Sequence, residues 1–436
     1  MIGLHITTQG CKLNQFDSAD LAGALRGDVR LVSDPAQALL IVVNTCTVTA
    51  AADSDARQAL RRRRRESPRA LIVATGCYAE RDPDALRAIP EVDLVLRREE
   101  RDAAAGRILE ELRHRFPEEL SDGCADRLTG ESLPDFGDRS RAFLRVQEGC
   151  DLRCSYCVIP AVRGPSRSLP AGLVVERLRR LVQAGYREVV LTGVNTGDYG
   201  RDLESGDDLA GLLERLVRVE GDFRLRLNSV EPRRVTSRLV ELLASEGKLA
   251  RHLQVPLQSG SDDVLRAMRR NYRAEDYLEV LHRLRARADG IGLGADVIVG
   301  FPGETEARFE ATARLIEESP LNYLHVFSYS ARPGTPAAGF GEPVPHDSIR
   351  RRSRELRAIG DRLARAFRSA QAGRCHRALV LAGRRADGRA RALTSNFIEV
   401  SLSAAQDDNR FVPIVITGLD SAGGAVGRRR EEGQAA

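Results

Sequence analysis

The chain has 436 residues, of which 42% are hydrophobic and 30% are charged, and its formal net charge is +5. This length exceeds one ordinary hydrophobic core, so we expect two or three domains. The composition is that of a globular protein, and no apolar run reaches the roughly 18 residues of a membrane-spanning helix. The first residues have a strand pattern without a signal-peptide layout, so we expect a cytoplasmic protein with no membrane partner. Its eight cysteines are then thiols or metal ligands rather than disulfides.

Residues 1–116 alternate short apolar runs with helical patterns. This alternation predicts an α/β domain built on a doubly wound parallel sheet. The predicted strands are 3–8, 39–44, 70–75 and 93–96. The predicted helices are 17–25, 53–65, 82–88 and 99–115.

Three cysteines of this segment, Cys11, Cys46 and Cys77, each follow a predicted strand. The carboxyl ends of the strands line the ligand crevice of an open α/β sheet, so these three thiols are expected to converge. Three thiolates suit an iron–sulfur cluster. Buried structural cysteines, which pack like small hydrophobic residues, are the alternative. We favour a cluster because each cysteine lies in a polar turn.

The middle of the chain begins with a predicted linker, residues 117–140, which is rich in Pro, Gly, Asp and Ser and contains Cys124 without a partner motif. Strand–helix alternation then fills residues 141–370 and predicts a partial barrel of six β/α units. The predicted strands are 143–147, 188–192, 224–228, 253–257, 294–299 and 323–328. A cysteine-rich loop follows the first of them, at the barrel end where active sites lie.

That loop places Cys150, Cys154 and Cys157 in a C-x3-C-x2-C spacing. Three such thiolates can hold three irons of a [4Fe–4S] cluster and leave the fourth iron open to a small molecule. The alternatives are half of a zinc site or three unrelated cysteines, but zinc needs a fourth Cys or His nearby, and the next His downstream is His252. The spacing resembles that of the radical S-adenosylmethionine (SAM) enzymes. In those enzymes SAM binds the open iron, and its reductive cleavage gives a 5′-deoxyadenosyl radical.

Polar residues after the other predicted strands are candidates for binding SAM. Gly193 would let the backbone approach a ligand, and it occupies the place where radical SAM enzymes bind the SAM amino group. Glu231 could hydrogen-bond SAM. Each candidate also has an ordinary explanation as a turn residue, and their placement after successive strands is what favours a site. The candidate cofactor-binding residues are Gly193, Asn195, Glu231, Gln258, Ser259 and Asp296.

Residues 371–436 change to short β-like runs with glycine turns, which predicts a small barrel, and the tail after Asp420 is expected to be disordered. Residues 372–393 carry six arginines against one acid, which favours RNA binding over a neutral scaffold. These arginines are Arg374, Arg377, Arg384, Arg385, Arg389 and Arg391. The run Arg61–Arg65 is either a solvated helix end or a second RNA contact.

The order of these features resembles the methylthiotransferases of the radical SAM superfamily over nearly the whole chain. Members of that family have an N-terminal methylthiotransferase domain, a radical SAM barrel and a C-terminal TRAM domain. One SAM supplies a methyl group, another supplies the radical, and the N-terminal cluster carries the sulfur. The resemblance implies SAM and two [4Fe–4S] clusters, with ligands Cys11, Cys46, Cys77, Cys150, Cys154 and Cys157.

Four motifs resemble the threonylcarbamoyladenosine branch of that family: 10–15, 44–49, 76–80 and 159–167. This resemblance implies methylthio addition at C2 of N6-threonylcarbamoyladenosine at position 37, in the anticodon loop of tRNA. An electron donor and a sulfur donor, both unidentified, are implied as further partners. The alternatives are isopentenyladenosine at position 37, an aspartate of a ribosomal protein, and a cluster-containing RNA-binding protein without turnover.

Overall fold

The computed structural model describes residues 1–119, 133–137, 139–403 and 408–430. Cys124 and most of the predicted linker lie outside these ranges. The described part of the linker runs along the first helix, where Asp135 N donates to Ala19 O at 2.8 Å. No helix within the described ranges is both long enough and apolar enough to span a bilayer.

The N-terminal domain is a five-stranded, all-parallel sheet with the strand order β2-β1-β3-β4-β5. Helices cover both faces, and each face has its own apolar core. The predicted doubly wound sheet is therefore confirmed. The strands are β1 Ile2–Thr8, β2 Val29–Leu31, β3 Leu40–Thr45, β4 Leu71–Gly76 and β5 Leu94–Val95. The helices are α1 Lys12–Ala24, α2 Ala50–Glu66, α3 Cys77–Arg81, α4 Pro83–Arg87 and α5 Ala104–Arg115.

The central domain has six parallel strands in two sheets, β6-β9-β10 and β11-β12-β13. Isolated bridges from Leu225 to Leu249 and from Ser229 to Gln254 join the two sheets into the predicted partial barrel. These six strands are β6 Arg141–Arg145, β9 Glu188–Thr192, β10 Arg224–Leu227, β11 His252–Gln254, β12 Gly292–Val299 and β13 Tyr323–Ser328. Two further short strands, β7 Gln147–Glu148 and β8 Arg167–Ser168, form a separate antiparallel pair. The helices are α6 Ile159–Arg163, α7 Ala171–Gln183, α8 Leu209–Val217, α9 Ser237–Ser245, α10 Asp262–Ala267, α11 Ala274–Arg287, α12 Glu306–Glu318 and α13 His346–Ser369.

Alternate residues of the barrel strands face opposite sides, because side chains alternate along a strand. Leu225 and Leu227 pack into the apolar core beneath the surrounding helices. Arg224 and Arg226 lie on the other face of β10, where both bind the fully buried Glu188 at 2.7 and 2.8 Å. The inner side of the barrel is therefore lined with charged groups.

The C-terminal domain is a closed five-stranded barrel with the order β14-β15-β16-β18-β17, as the glycine-punctuated β-like runs predict. Its strands are β14 Cys375–Arg384, β15 Ala390–Leu393, β16 Glu399–Leu402, β17 Phe411–Leu419 and β18 Ala425–Arg429. The expectation that the chain is disordered after Asp420 is wrong for residues up to 430. The strand β18 closes the barrel by pairing with β16 and β17, and its first residue, Ala425, is buried in the barrel core.

Candidate functional site

The three N-terminal cysteines meet at the carboxyl edge of the parallel sheet. Cys11 precedes α1, Cys46 follows β3, and Cys77 begins α3 directly after β4. Asn14 Oδ1 lies 3.9 Å from the Cys11 sulfur and 3.8 Å from the Cys77 sulfur. A Cβ on Gly10, whose φ is +86°, would lie only 2.9 Å from the Cys46 sulfur, so Cys46 lies against the turn that carries Cys11. The expected convergence is therefore present.

Asn14 fixes the turns that present these sulfurs. Its fully buried Nδ2 group donates to Gln9 O at 2.9 Å and to Thr45 O at 3.0 Å, which ties the turn after β1 to the end of β3. Its Oδ1 atom accepts a 2.5 Å hydrogen bond from Arg163, which belongs to the central domain. A buried amide with all of these partners holds its surroundings in one arrangement.

Burial disfavours the thiolate forms of Cys46 and Cys77, which a positively charged partner would stabilise. Burial raises the pKa of Cys77 to about 11, and the charges of Cys11 and Cys46 raise it further against the opposing effect of Arg163. Burial also raises the pKa of Cys46. Across the described ranges, no three His, Cys, Asp or Glu side chains are grouped as ligands of a single metal ion. An iron–sulfur cluster binds one thiolate at each of several irons, so its ligands can lie further apart than those of a single ion. Its irons would stabilise the thiolate forms that burial disfavours.

The second set of cysteines lies in the loop between β7 and β8. Cys150 N donates to Gly164 O at 3.1 Å, and Cys157 N donates to Cys154 O at 3.1 Å. Burial raises the pKa of Cys150 to about 11 and that of Cys157 to about 12, and the charge of Cys154 adds to both shifts. Cys150 and Cys157 therefore favour the neutral thiol in the absence of a positively charged partner.

Ser155 anchors the cysteine loop to the barrel. Its hydroxyl donates to Ala267 O at 2.7 Å and its N–H donates to Met268 O at 3.0 Å. Its carbonyl accepts a 2.8 Å hydrogen bond from Ala337 N. The neighbouring Tyr156 packs against the small apolar cluster that contains Met268 and Phe301. The loop is thus held at three backbone points before any cofactor binds.

Arg270 is a site residue that the sequence analysis missed. Its guanidinium donates to the Cys154 sulfur at 3.3 Å and forms an ion pair with Glu231. Burial raises the pKa of Glu231, and the charges of Asp198 and Asp296 add to this effect against the opposing charge of Arg270. The predicted Glu231 therefore lies beside the second cysteine group. Arg270 follows α10 with no motif around it, so no pattern in the sequence indicates its role.

Gly193 and Asn195 lie against Gln147, at the start of the cysteine loop. A Cβ on Gly193 would come within 2.8 Å of Gln147 Oε1, and the same oxygen accepts from Asn195 N at 2.9 Å. Asn195 Nδ2 donates to Asp198 at 2.6 Å, whereas Asn195 Oδ1 is buried without a hydrogen-bond partner among the described residues. Such an orphaned acceptor beside a thiolate group suits an amino group of a ligand.

The remaining three candidates differ in placement. Gln258 N donates to Asp296 O at 2.8 Å, and the Gln258 backbone has a φ of +64°, so Gln258 lies in a turn that pairs with β12, the strand that carries Asp296. Asp296 Oδ1 accepts from Gln254 Nε2 at 2.6 Å. Ser259 lies elsewhere, since its buried hydroxyl is 3.2 Å from Thr312 Oγ1 on α12. We therefore leave Ser259 out of the SAM site.

Buried ionic contacts join the N-terminal domain to the barrel beside both cysteine groups. Arg163 contacts Asp17 at 3.1 Å and Glu148 at 3.0 Å. Arg332 donates to Asp53 at 2.6 Å and to Thr47, the neighbour of Cys46, at 2.9 Å.

Lys12, the neighbour of Cys11, reaches into the barrel and donates to Asn228 Oδ1 at 2.5 Å. This contact joins the turn of the first cysteine group to the end of β10. Cys77 also shares a small apolar cluster with Val158, the neighbour of Cys157, so the two cysteine groups lie near each other at the interface between the domains.

The arginines predicted to bind RNA are engaged in ion pairs. Each of the six has an acidic partner, and five of the six pair with acids outside residues 372–393. The excess of positive charge in that window is thus compensated by the rest of the fold. The pairs are Arg374–Asp289, Arg377–Asp222, Arg384–Asp408, Arg385–Glu399, Arg389–Asp387 and Arg391–Glu399.

Two family models match the chain. Residues 144–316 match the radical SAM superfamily, and residues 3–97 match the uncharacterized protein family UPF0004. The first match covers the cysteine loop and most of the barrel, and the second covers all three N-terminal cysteines. Membership in the radical SAM superfamily implies an iron–sulfur cluster and SAM as cofactors.

Curated relatives show to which branch of the methylthiotransferases the chain is most similar. The chain is 40% identical over 370 residues to the threonylcarbamoyladenosine tRNA methylthiotransferase MtaB of Bacillus subtilis, with 83% of this chain and 81% of the relative covered. It is 35% identical to the MtaB of Aquifex aeolicus, with 94% of this chain and 98% of the relative covered. A tRNA-2-methylthio-N(6)-dimethylallyladenosine synthase from Carboxydothermus hydrogenoformans is 33% identical, with 86% and 87% covered. The chain belongs to the radical SAM methylthiotransferases, in the MtaB branch.

Solved structures support the fold. The radical SAM methyltransferase TsrM from Kitasatospora setae aligns with a TM-score of 0.55 at 18% identity, covering 77% of this chain and 75% of that one. At this identity the similarity concerns the fold alone.

Proposed function

We propose that this protein adds a methylthio group to C2 of N6-threonylcarbamoyladenosine at position 37 of tRNA. The observation that carries the proposal is the placement of Cys11, Cys46 and Cys77 opposite the C-x3-C-x2-C loop, across an interface fixed by Arg163 and Lys12. A sulfur-carrying group and a radical-generating group would then face one substrate base. The relatives named MtaB, at 35–40% identity, support the choice of substrate.

The residues present fit two [4Fe–4S] clusters and SAM. Cys11, Cys46 and Cys77 would hold one cluster and the loop cysteines the other, since each group gathers three thiols and includes buried or partly buried ones whose pKa is raised, namely Cys46 and Cys77 in the first and Cys150 and Cys157 in the second. When bound, the clusters and SAM supply the one-electron chemistry that no side chain can provide.

The chain's own residues orient SAM and exclude water. The orphaned Asn195 Oδ1 is an acceptor for an ammonium group, and Gly193, which has no Cβ, lets Gln147 pack closely against the same turn. Glu231 offers a carboxylate beside Cys154, held there by Arg270. Gln258 and Asp296 form the opposite rim. We propose these five residues as the SAM-binding set.

We propose the anticodon loop as the part of tRNA that enters this interface. A base must leave its stack to reach the barrel mouth, and single-stranded loops allow this. His325 and Phe327 on β13, together with Val48 next to the Cys46 turn, are about half exposed and would meet such a base. The exposed ion pairs of the C-terminal barrel would exchange their acidic partners for phosphates at little cost. The protein would still require an electron donor and a sulfur donor, both unidentified.

The test of the substrate is a side-by-side assay of the reconstituted protein. The substrates are tRNA carrying N6-threonylcarbamoyladenosine, tRNA carrying isopentenyladenosine, and the ribosomal protein with its target aspartate. Mass spectrometry of the products should show a methylthio group only on the first. Turnover only on one of the other two would contradict the proposal and leave the radical SAM assignment intact.

The test of the cofactors is the iron content. Anaerobically reconstituted protein should hold about eight irons, as two [4Fe–4S] clusters. Replacing Cys150, Cys154 and Cys157 with Ala should remove about half of the iron and abolish SAM cleavage. Replacing the three N-terminal cysteines should also remove half, yet spare 5′-deoxyadenosine formation and stop methylthiolation. SAM cleavage by the loop triple variant would refute the assignment.

A further inference from the structure

Lys12 occupies a position between the two cysteine groups. It begins α1 directly after Cys11, and its ammonium reaches Asn228, the residue that follows β10 and lies three positions before Glu231. Lys12 and Lys248 are the only lysines of the chain. An ammonium at this point would lie beside any base that both groups act on.

The surroundings of Lys12 carry more positive than negative charge. Arg141 and Arg226 act on the ammonium from below, and Asp296 is the carboxylate that opposes them. Glu188 is the shared partner of Arg141, Arg224 and Arg226 at 2.7–2.8 Å. Within this group, four cations thus meet two carboxylates. Lys12 therefore lies among cations that the nearby carboxylates do not fully balance.

We propose that Lys12, with Asn228, is the specificity-determining contact for the carboxylate of the threonylcarbamoyl group. This inference rests on the proposed function. A lysine ammonium has three donors, of which Asn228 Oδ1 takes one, so donors remain for a carboxylate. Because Asn228 Oδ1 accepts from Lys12, its own NH2 group is a second donor on the same side.

The same contact would disfavour isopentenyladenosine, the alternative substrate whose modification is a hydrocarbon. An isopentenyl group offers no acceptor, so its entry would bury the Lys12 ammonium without a new partner. Leaving a site's buried polar group unpaired is an effective way to reject a substrate analogue. Lys12 would therefore favour one modified adenosine and disfavour the other.

The test compares an acid with its ester. Anticodon stem–loop RNA is prepared with N6-threonylcarbamoyladenosine at position 37, either as the free carboxylate or as the methyl ester. The variants are Lys12→Met, which keeps the length of the side chain and removes its charge, and Lys12→Arg, which keeps a charge. Lys248→Met is the matched control, because Lys248 Nζ donates to Val219 O beside Phe223, at the amino end of β10. Binding affinity, kcat, KM, iron content and 5′-deoxyadenosine formation are measured for each.

The unaltered protein should bind the acid at least about tenfold more tightly than the ester, because a hydrogen bond to a charged group is among the stronger ones. Lys12→Met should bind acid and ester equally, with unchanged iron content and 5′-deoxyadenosine formation. Lys12→Arg should retain a preference for the acid, and Lys248→Met should behave like the unaltered protein.

An undiminished preference for the acid in Lys12→Met would overturn the inference. A loss of iron shared by Lys12→Met and Lys12→Arg would also overturn it, because Lys12 would then act only on the Cys11 turn. Failure of the proposed function has a different signature: the unaltered protein would show no preference for the acid and would modify isopentenylated RNA instead.

Discussion

Arg270 is the single side chain whose removal should most weaken the SAM site. In Arg270→Met, Glu231 loses the cation that opposes its burial, so its raised pKa should rise further and its protonated form should become more populated. A neutral carboxyl is a poorer acceptor for SAM, and we expect SAM affinity to fall by about tenfold or more. Equilibrium binding of SAM to the reconstituted variant measures this loss.

The control for this prediction is Arg266→Met. Arg266 lies one turn earlier and is an exposed arginine paired with Asp263 at 2.8 Å. Its replacement should leave SAM affinity unchanged. Equal affinity in both variants would mean that Glu231 does not contact SAM.

At the residue scale, the sequence identified the cysteines but not the side chains that contact and position them. Each cysteine follows an apolar run, so a pattern of strands was enough to predict that Cys11, Cys46 and Cys77 converge. Arg163 and Asn14 meet across 149 positions of chain, and the contact between Arg270 and Cys154 spans 116. Patterns within a short stretch of sequence cannot predict contacts between residues so far apart in the chain. Ser259 shows a limit of such patterns, because its hydroxyl lies against Thr312 on α12 although it follows a strand as the other candidates do.

At the scale of elements, the base of the barrel depends on one carboxylate. Burial alone would raise the pKa of Glu188, but Arg226 and Arg224 outweigh it and hold the pKa well below its ordinary value of 4.5. Glu188→Gln would leave three buried arginines without their shared partner. We expect a loss of about 3–5 kcal/mol in the free energy of unfolding, measured by denaturant titration. Glu214→Gln, which breaks an exposed ion pair with Arg238, should change the free energy of unfolding little.

The stability that Glu188 confers should depend on pH. Because its pKa is depressed in the folded state, the contribution is fully present above about pH 4.5 and is lost as the pH falls toward the folded-state pKa. The difference in stability between the unaltered protein and Glu188→Gln should therefore shrink below about pH 4.5. A difference that stays constant from pH 7 to pH 3.5 would show that folding does not lower the pKa of Glu188.

The elements themselves were largely predictable, because buried parallel strands are continuous apolar runs bounded by turn residues. β9 and β13 begin and end where the sequence pattern predicts them. β18 was missed because Ala425–Arg429 is short and polar at one end, and what makes it a strand is the vacant edge between β16 and β17. An edge of that kind exists only in the assembled barrel.

At the scale of the whole molecule, tRNA binding should depend on salt. Each phosphate contact contributes about 0.7–0.9 to the slope of log affinity against log salt concentration. Replacing Arg385 and Arg389, both about half exposed, with Gln should reduce that slope by about one to two. The paired control replaces Arg113 and Arg179 on the outer helices α5 and α7. The same change of slope in both double variants would show that the C-terminal barrel is not an RNA surface.

The contact of Arg332 with Thr47 and Asp53 has a consequence for how the protein is made. The turn that carries Cys46 reaches its final form only when Arg332, 285 positions later, is in place. A ribosome releases the N-terminal sheet long before that residue emerges, and domains fold in the order of synthesis. We therefore expect the first cysteine group to remain as free thiols on a folded sheet until most of the barrel has been synthesised. Iron delivery to the two groups is thus tied to the completion of one chain.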